Sequence, residues 1–590
     1  MNNMNANWRL LFLAVLCVAS SLRAASVGEL MDKAKISEAA GLQAGFVAKP
    51  VSPPANSYVP AAGDQAKGMV FFRPPLAKWF KGQIPAQEEV AAKLEMTNAL
   101  GEISSSLLGV YALEDKKGLV VRAKTEALGK EITVEILPLV MAPLSLAKKS
   151  ATTGVMGDVA ADKTFTTVGL WLAEKGAMDI AKGQSRAWVV RIHAGNKAVA
   201  GQFSILLELV EENGGKVLGT TALNLKVLPF ELVDAWEHGY SFGAFWGGYH
   251  FPYDCSVAEF RQLKEHGIEA GHCFWSARGA KFENDNGQLK ANYDELDPWV
   301  ENMKAGGMRG PLVLTLGTAK ADYFIDDIIH TMKISTEGEY WDDPKNQALF
   351  VSGLKQLFDH AAEKKWPEVV IMGPDEPTQS EAKMKRFHRI VKLMHANFPK
   401  VRIYGVCMDK LKNAQKVVDA DILVCNGDFE RIVALGKENK KAVWTYGSFT
   451  TASGYESVRR RFGLQPYAFG PTGTFFWSLG YTMGDPFNEF DGDRADSVWN
   501  IAWPPVKKGD SLVETPPFEG MRDAVNDVRY AMTLDSMLEK CTDDKAAKVK
   551  AEYETFRTND LRNSEQPAES LRAKIIEMIM QLTSSGPGVH

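Results

Sequence analysis

The chain has 590 residues, a formal net charge of −5 and an isoelectric point near 6.1. That length exceeds what a single hydrophobic core organises, so two or three domains are expected. The mild acidity, with no long Lys/Arg block, excludes an electrostatic case for nucleic acid or an anionic membrane surface and leaves small neutral or polar partners.

Arg9, the apolar stretch from Leu10 to Val18 and the ending Leu22-Arg23-Ala24 read as a signal peptide over residues 1–24, which predicts an exported protein, periplasmic or extracellular. Residues 25–65 are rich in Ala, Pro and Gly, as in Lys49-Pro50-Val51-Ser52-Pro53-Pro54. They read as a linker or loosely docked arm with little regular structure. Over residues 66–232, short β-rich runs such as Met69 to Phe72, Gly118 to Val121, Ile132 to Ile136, Ala187 to Ile192, Phe203 to Leu209 and Thr221 to Val227 predict a β-sandwich. Gln87 to Asn98 reads as an inserted helix or a further strand.

From 233 to 541 the rhythm is strand then helix. Strands are expected at Tyr240 to Trp246, Ile268 to Trp275, Pro311 to Gly317, Val369 to Gly373, Val401 to Val406, Ile422 to Cys425, Ala442 to Tyr446 and Gly473 to Ser478, with amphipathic runs between them and a last helix over Met521 to Leu538. Eight such units predict a (β/α)8 TIM barrel. Residues 542–590 read as a charged helical tail. After removal of Cys17 the odd, widely spaced set Cys255, Cys273, Cys407, Cys425 and Cys541 is no disulfide framework, and buried free thiols are favoured over a Cys407–Cys425 bridge. Neither zinc-ligand spacing nor a phosphate loop nor a dinucleotide fingerprint occurs, so no metal and no cofactor is expected. No later apolar run is long enough to span a bilayer. Oligomeric state is left open.

Glu368 to Pro377 is the stretch that carries chemistry: a strand ending on Asp375 and Glu376 between Pro374 and Pro377, then Thr378-x-x-Glu381 with capping-box spacing before a helix. Acids at the C-terminal end of a barrel strand sit where such folds place active sites; the bland alternative is a solvated acidic turn. Two adjacent carboxyls, partly desolvated, cannot both ionise freely. Long connections at Thr318 to Asp343 and Gly480 to Pro517 are expected to build the cavity. Trp477, Tyr446, Trp275, Trp246 and Tyr249 lie near strand ends as candidates for stacking on a ligand, or for packing core and rim. His250 and His272 are candidates for polar contacts or satisfied structural residues. Asp485, Asp491 and Asp493 read as a solvated acidic loop without an EF-hand pattern, and Arg459 to Arg461 as a helix face.

Gly373-Pro374-Asp375-Glu376-Pro377 resembles the corresponding motif of glycoside hydrolase family 123. So do Ala187 to Ile192 with Ala200-Gly201-Gln202-Phe203, the strand Gly473 to Ser478 with Trp477, and Phe518 to Asp527, in that order over about residues 66–545. The resemblance implies exported bacterial proteins with a β-sandwich followed by a (β/α)8 barrel. It also implies an exo-β-N-acetylhexosaminidase, N-acetylgalactosaminidase-like, acting on a glycan or glycoconjugate that bears N-acetylhexosamine. In that reading Glu376 is the acid/base and Asp375 holds the N–H of the substrate 2-acetamido group, whose carbonyl oxygen attacks the anomeric carbon. Tyr404 and Tyr446 are the candidates for a hydroxyl contact to that carbonyl. Ala502-Trp503-Pro504-Pro505 departs from the Tyr-Pro-Gly type turn frequent in relatives, which leaves the sugar open. Two other readings are a two-carboxylate glycosidase, pairing Glu376 with Asp428 or Asp485 on sugars without the acetamido group, and a carbohydrate-binding protein without turnover.

Overall fold

The computed structural model describes residues 25–49, 54–74, 79–80, 82–126, 128–145, 163–246, 255–273, 281–316, 323–335, 340–407, 411–449, 453–479, 485–488, 490, 501–541, 543–563 and 565–583. The expected signal peptide lies outside them. Within the expected loose arm, Val27–Gln43 form a helix, α1. Ser26 and Glu29 form a reciprocal capping box, with the Ser26 N–H donating to the Glu29 carboxylate at 3.0 Å. Val27, Leu30, Ala34, Ser37 and Gly41 bury one stripe of α1, which packs against the sandwich. The alanines that suggested a linker are good helix formers once such a stripe has something to cover.

The following elements are β1 (Val47–Ala48), α2 (Ala62–Lys67), β2 (Met69–Phe72), α3 (Gln87–Ala91), β3 (Leu94–Leu100), β4 (Glu102–Ala112), β5 (Lys116–Lys124), β6 (Ile132–Ser145), β7 (Thr164–Leu172), β8 (Met178–Ile180), β9 (Ser185–Ala194), β10 (Gly201–Glu211) and β11 (Val217–Glu231). The stretch Gln87 to Asn98 is thus one short helix and the start of one strand. A six-stranded sheet, β1-β7-β6-β9-β4-β2, faces a five-stranded one, β3-β11-β10-β5-β8. In β9, Trp188, Val190, Ile192 and Ala194 enter the core between the sheets, while Ala187 and Val189 join a second apolar cluster with Phe72, Trp79 and Leu139. Period-two alternation with both faces apolar makes β9 a central strand.

The barrel strands are β12 (Ser241–Trp246), β13 (Ala270–Cys273), β16 (Leu312–Thr315), β17 (Val369–Met372), β18 (Arg402–Cys407), β19 (Ile422–Cys425), β20 (Ala442–Ser448) and β21 (Gly473–Leu479), closed by the pairing of β12 with β21. Every strand falls where the apolar runs predicted it. A hairpin absent from the sequence reading, β14 (Lys281–Asp285) and β15 (Gln288–Asn292), follows β13. The helices between are α4 (Val257–Glu265), α5 (Leu296–Ala305), α6 (Tyr323–Met332), α7 (Pro344–Glu363), α8 (Glu381–Asn397), α9 (Leu411–Lys416), α10 (Phe429–Glu438), α11 (Tyr455–Phe462) and α12 (Leu464–Tyr467). Alternate strand residues part into two sets. Phe245, Val313, Val370, Met372, Tyr404, Val406, Val424, Trp444, Tyr446, Phe475 and Trp477 cluster inside the barrel, whereas Trp246, Leu314, Ile371, Ile403, Cys407, Cys425, Val443 and Phe476 join the core shared with the helices. Cys407 and Cys425 are in register across β18 and β19 as free buried thiols, and burial pushes the Cys407 thiol up to about 12.

Helix α13 (Pro516–Lys540) closes the barrel, and α14 (Asp544–Phe556) and α15 (Ala568–Thr583) follow. These helices also bind the two domains together. Glu519 in the first turn of α13 accepts from Arg191 of β9 at 2.5 Å and from Ser105 of β4 at 2.5 Å; Arg522 donates to Glu519 at 2.5 Å and lies 2.9 Å from His266. Arg572 of α15 pairs with Glu102 of β4 at 3.1 Å, with Asp523 of α13 at 3.4 Å and with Asp527. Arg459 joins Asp527 at 2.7 Å, so the arginines at 459–461 do not share one solvated face: Arg459 is internal, and Arg461 lies 5.7 Å from the Phe449 ring centroid. No described helix is long and apolar enough to cross a membrane.

Candidate active site

Strand β17 pairs in register with β16 and β18, and the chain beyond Met372 leaves the sheet through Gly373 and Pro374. Glu376 then takes φ 45° and ψ 58°, the left-handed region that a residue with a side chain seldom occupies. Such strain persists where the surroundings over-determine it, and it turns the chain at once into a 3-10 turn, Pro377–Gln379. Ser380, not Thr378, caps α8: its Oγ accepts the Lys383 N–H at 3.3 Å. The cap moves by two residues because Pro377 fixes a turn before the helix can start.

Asp375 and Glu376 are each half-buried. Burial first, and the charge of Glu376 second, push the Asp375 carboxyl up to about 7, against the opposing pull of Lys383 and the Glu376 N–H. Burial also raises Glu376, opposed by Lys383 and by a hydrogen bond from Gln379. The pair therefore holds a proton near neutrality, a property of both acids together. A carboxyl raised from its usual value near 4 keeps a proton in the folded chain that the unfolded chain has lost. Its contribution to stability consequently falls as pH rises from about 4 through about 7.

Tyr446 faces both acids from β20. Burial and the charges of Glu376 and Asp375 push its hydroxyl well above the usual range, and Asn426, just past β19, donates from Nδ2 to Tyr446 Oη at 3.2 Å. Tyr404 on β18 is 1% exposed; burial, then Tyr446 and Asp375, raise its hydroxyl. It supports the floor rather than lining an opening. Trp477 ends the inner face of β21, half-buried, with its ring centroid 5.8 Å from Phe245, which lies 6.1 Å from Tyr446.

Two sequence candidates are displaced from the site. Trp246 points out of the barrel, packing against Phe260 and Trp299, because its neighbour Phe245 takes the inward position. His272 is inward but fully buried, between Phe245 at 4.3 Å and Tyr404 at 5.8 Å, with Nε2 2.6 Å from Thr315 Oγ1; burial pushes it down to about 3, so it is neutral and out of a ligand's reach. Tyr249, His250, Trp275, Asp491 and Asp493 lie outside the described residues. Asp428 precedes α10, 3.5 Å from Arg431, and Asp485 accepts the Phe487 N–H at 3.0 Å within its own loop. Gln379, Lys383 and Asn426 were not singled out by sequence, although Asn426 directly follows a strand end and Gln379 and Lys383 stand four apart at a helix start, both readable signals.

Residues 280–501, which include Asp375, Glu376, Gln379, Lys383, Asn426, Tyr446 and Trp477, match the model of the glycoside hydrolase 123 catalytic domain. With an acid pair at the C-terminal end of a barrel strand, the chain is a glycosidase. It is a glycoside hydrolase 123-like protein. Its structure superposes on a family 123 glycoside hydrolase from Clostridium perfringens, whose structural analysis concerns glycolipid glycan hydrolysis, with a TM-score of 0.64 and 11% identity over 88% of this chain and 100% of that one. A GH2 beta-galacturonidase from Eisenbergiella tayi (TM-score 0.30, 9% identity, 72% of each chain) and a beta-D-glucuronidase from Dictyoglomus thermophilum (TM-score 0.29, 9% identity, 72% of this chain and 68% of that one) align far more loosely. No curated protein matches the chain.

Proposed function

We propose that the protein is an exported, retaining exo-β-N-acetylhexosaminidase, N-acetylgalactosaminidase-like, in which the substrate's own 2-acetamido group is the nucleophile. The observation that carries this reading is the adjacency of Asp375 and Glu376 opposite the hydroxyl of Tyr446. Export rests on the pattern from Arg9 to Ala24.

Asp375 and Glu376 hold the proton as a pair near neutrality. An amide N–H placed against the Asp375 carboxyl stabilises its charged form, and the proton then belongs to Glu376. Glu376 gives it to the glycosidic oxygen as the bond to the anomeric carbon breaks. Asp375, accepting the N–H, increases the electron density on the acetamido carbonyl oxygen, which bonds to the anomeric carbon and closes an oxazolinium ring. Tyr446, whose Oη accepts from Asn426 Nδ2, supplies its phenolic O–H as the donor to that carbonyl. Water then attacks the anomeric carbon from the face the leaving group vacated, giving its proton to the Glu376 carboxylate as the bond to the acetamido oxygen breaks and the acetamido group is restored, and configuration is retained. Trp477 offers a ring face beside the sugar. The alternative acids Asp428 and Asp485 are engaged with Arg431 and with loop backbone.

The test compares an aryl N-acetyl-β-galactosaminide with the aryl β-galactoside that lacks the acetamido group. Loss of the nucleophile lowers kcat/KM by about a thousandfold or more, the scale of a well-placed intramolecular group. Equal rates on the two substrates overturn the reading.

A further inference from the structure

The described part of the site holds a hydrogen-bond chain that catalysis by two acids does not itself require. Lys383 Nζ donates to Gln379 Oε1 at 2.6 Å, and Gln379 Nε2 donates to Glu376 Oε2. A lysine ammonium has donors only, so it accepts no contact from the amide NH2 and fixes the amide's orientation, oxygen toward the lysine and nitrogen toward the carboxyl. The chain's geometry is set by the fold: Gln379 ends the 3-10 turn that the left-handed Glu376 begins, and Ser380 caps the first turn of α8, from which Lys383 projects.

We infer that Gln379 and Lys383 are positioning residues that hold Glu376 in place and stabilise the carboxylate it becomes on giving up its proton. The inference rests on Glu376 being the proton donor. As the proton moves to the leaving oxygen, negative charge appears on Glu376, and an N–H already aimed at that oxygen stabilises the charge without reorganising. Lys383, one group further back, polarises the amide and adds its own attraction. The other groups facing Glu376 act in the opposite direction or are neutral: Asp375 on the same loop repels a second charge, while Tyr446 from β20 keeps its proton. Without the chain, burial acts unopposed and holds the Glu376 proton more tightly.

The test uses the full-length protein with Gln379→Met, which keeps the side chain's length, and Lys383→Met. On an N-acetyl-β-galactosaminide with a poor leaving group, Gln379→Met lowers kcat about tenfold, the scale of one hydrogen bond to a charge. On a dinitrophenyl glycoside, which departs without help from an acid, the loss is within about twofold. The alkaline limb of kcat/KM, set by the Glu376 proton, moves up by about one pH unit, and Lys383→Met gives a shift of the same sign that is at least as large, because the lysine's charge opposes the effect of burial more than the amide does. Infrared titration of the carboxyl bands, referenced to Glu376→Gln, reads the same upward shift without turnover. An unmoved titration, or a loss equal across leaving groups, overturns the inference. If Glu376→Gln itself hydrolyses at the wild-type rate, the proton donor is elsewhere and both the inference and the proposed mechanism fall. If Glu376→Gln is inactive while Gln379→Met matches wild type throughout, only the positioning role falls.

Discussion

Glu376→Gln is expected to lower kcat/KM for an aryl N-acetyl-β-galactosaminide by about a hundred- to ten-thousandfold while the protein stays folded. Glutamine keeps the shape of the side chain and can still accept from Gln379, but it has no proton to give. The effect should be greatest for poor leaving groups. Stability should move the other way: the substitution removes the neighbouring charge that helps raise Asp375, so this carboxyl drops from about 7 toward its usual range. The folding cost of its raised value, incurred as pH climbs from about 4 to about 7, then shrinks. Melting curves should show the variant more stable than wild type at pH 8 and indistinguishable from it at pH 3.5. Loss of both activity and stability at pH 8 would mean that Glu376 serves the fold.

Arg572→Ala should destabilise the protein by about 3–5 kcal/mol, the scale for removing one partner from a buried ionic cluster. The guanidinium stands among Glu102, Asp523 and Asp527, each at most 2% exposed. Glu102 belongs to the sandwich, the two aspartates to the helix that closes the barrel, and Arg572 to the last helix. Truncation leaves three buried carboxyls with one fewer cation, Arg459 still pairing with Asp527. Tyr530, which donates to Glu102 at 2.5 Å, cannot supply the missing charge. Calorimetry should show a lowered and broadened transition as the sandwich and barrel lose their shared anchor. A change below about 1 kcal/mol would show that the cluster is not what joins them. Glu519, Arg522, Asp523 and Asp527 lie in the stretch that resembles family 123, so that part of the motif serves the domain junction rather than the chemistry.

The barrel was readable because parallel strands buried on both faces must be written as short apolar runs, and Val369 to Met372 is such a run. What could not be read was direction. Phe245 and Trp246 are equally apolar and adjacent, and only strand register decides which enters the barrel and which meets the helices. His272 looked like any polar residue near a strand end, yet the ring sits between two aromatics where no ligand reaches. The tail's role was hidden for a different reason: Glu102 lies 470 positions from Arg572, and no local pattern encodes so distant a pairing. Helix α1 is hidden by composition, because its alanines stand next to a proline-rich run and only the stripe from Val27 to Gly41 marks the helix.

The most direct test is a crystal structure with a thiazoline derived from N-acetylgalactosamine, which mimics the oxazolinium ring. The expected result places the ring nitrogen against Asp375, the Tyr446 hydroxyl against the ring atom derived from the carbonyl oxygen, and Glu376 on the face where the leaving group departs. A thiazoline that binds away from these three residues, or fails to bind at millimolar concentration, would contradict substrate-assisted hydrolysis at this site.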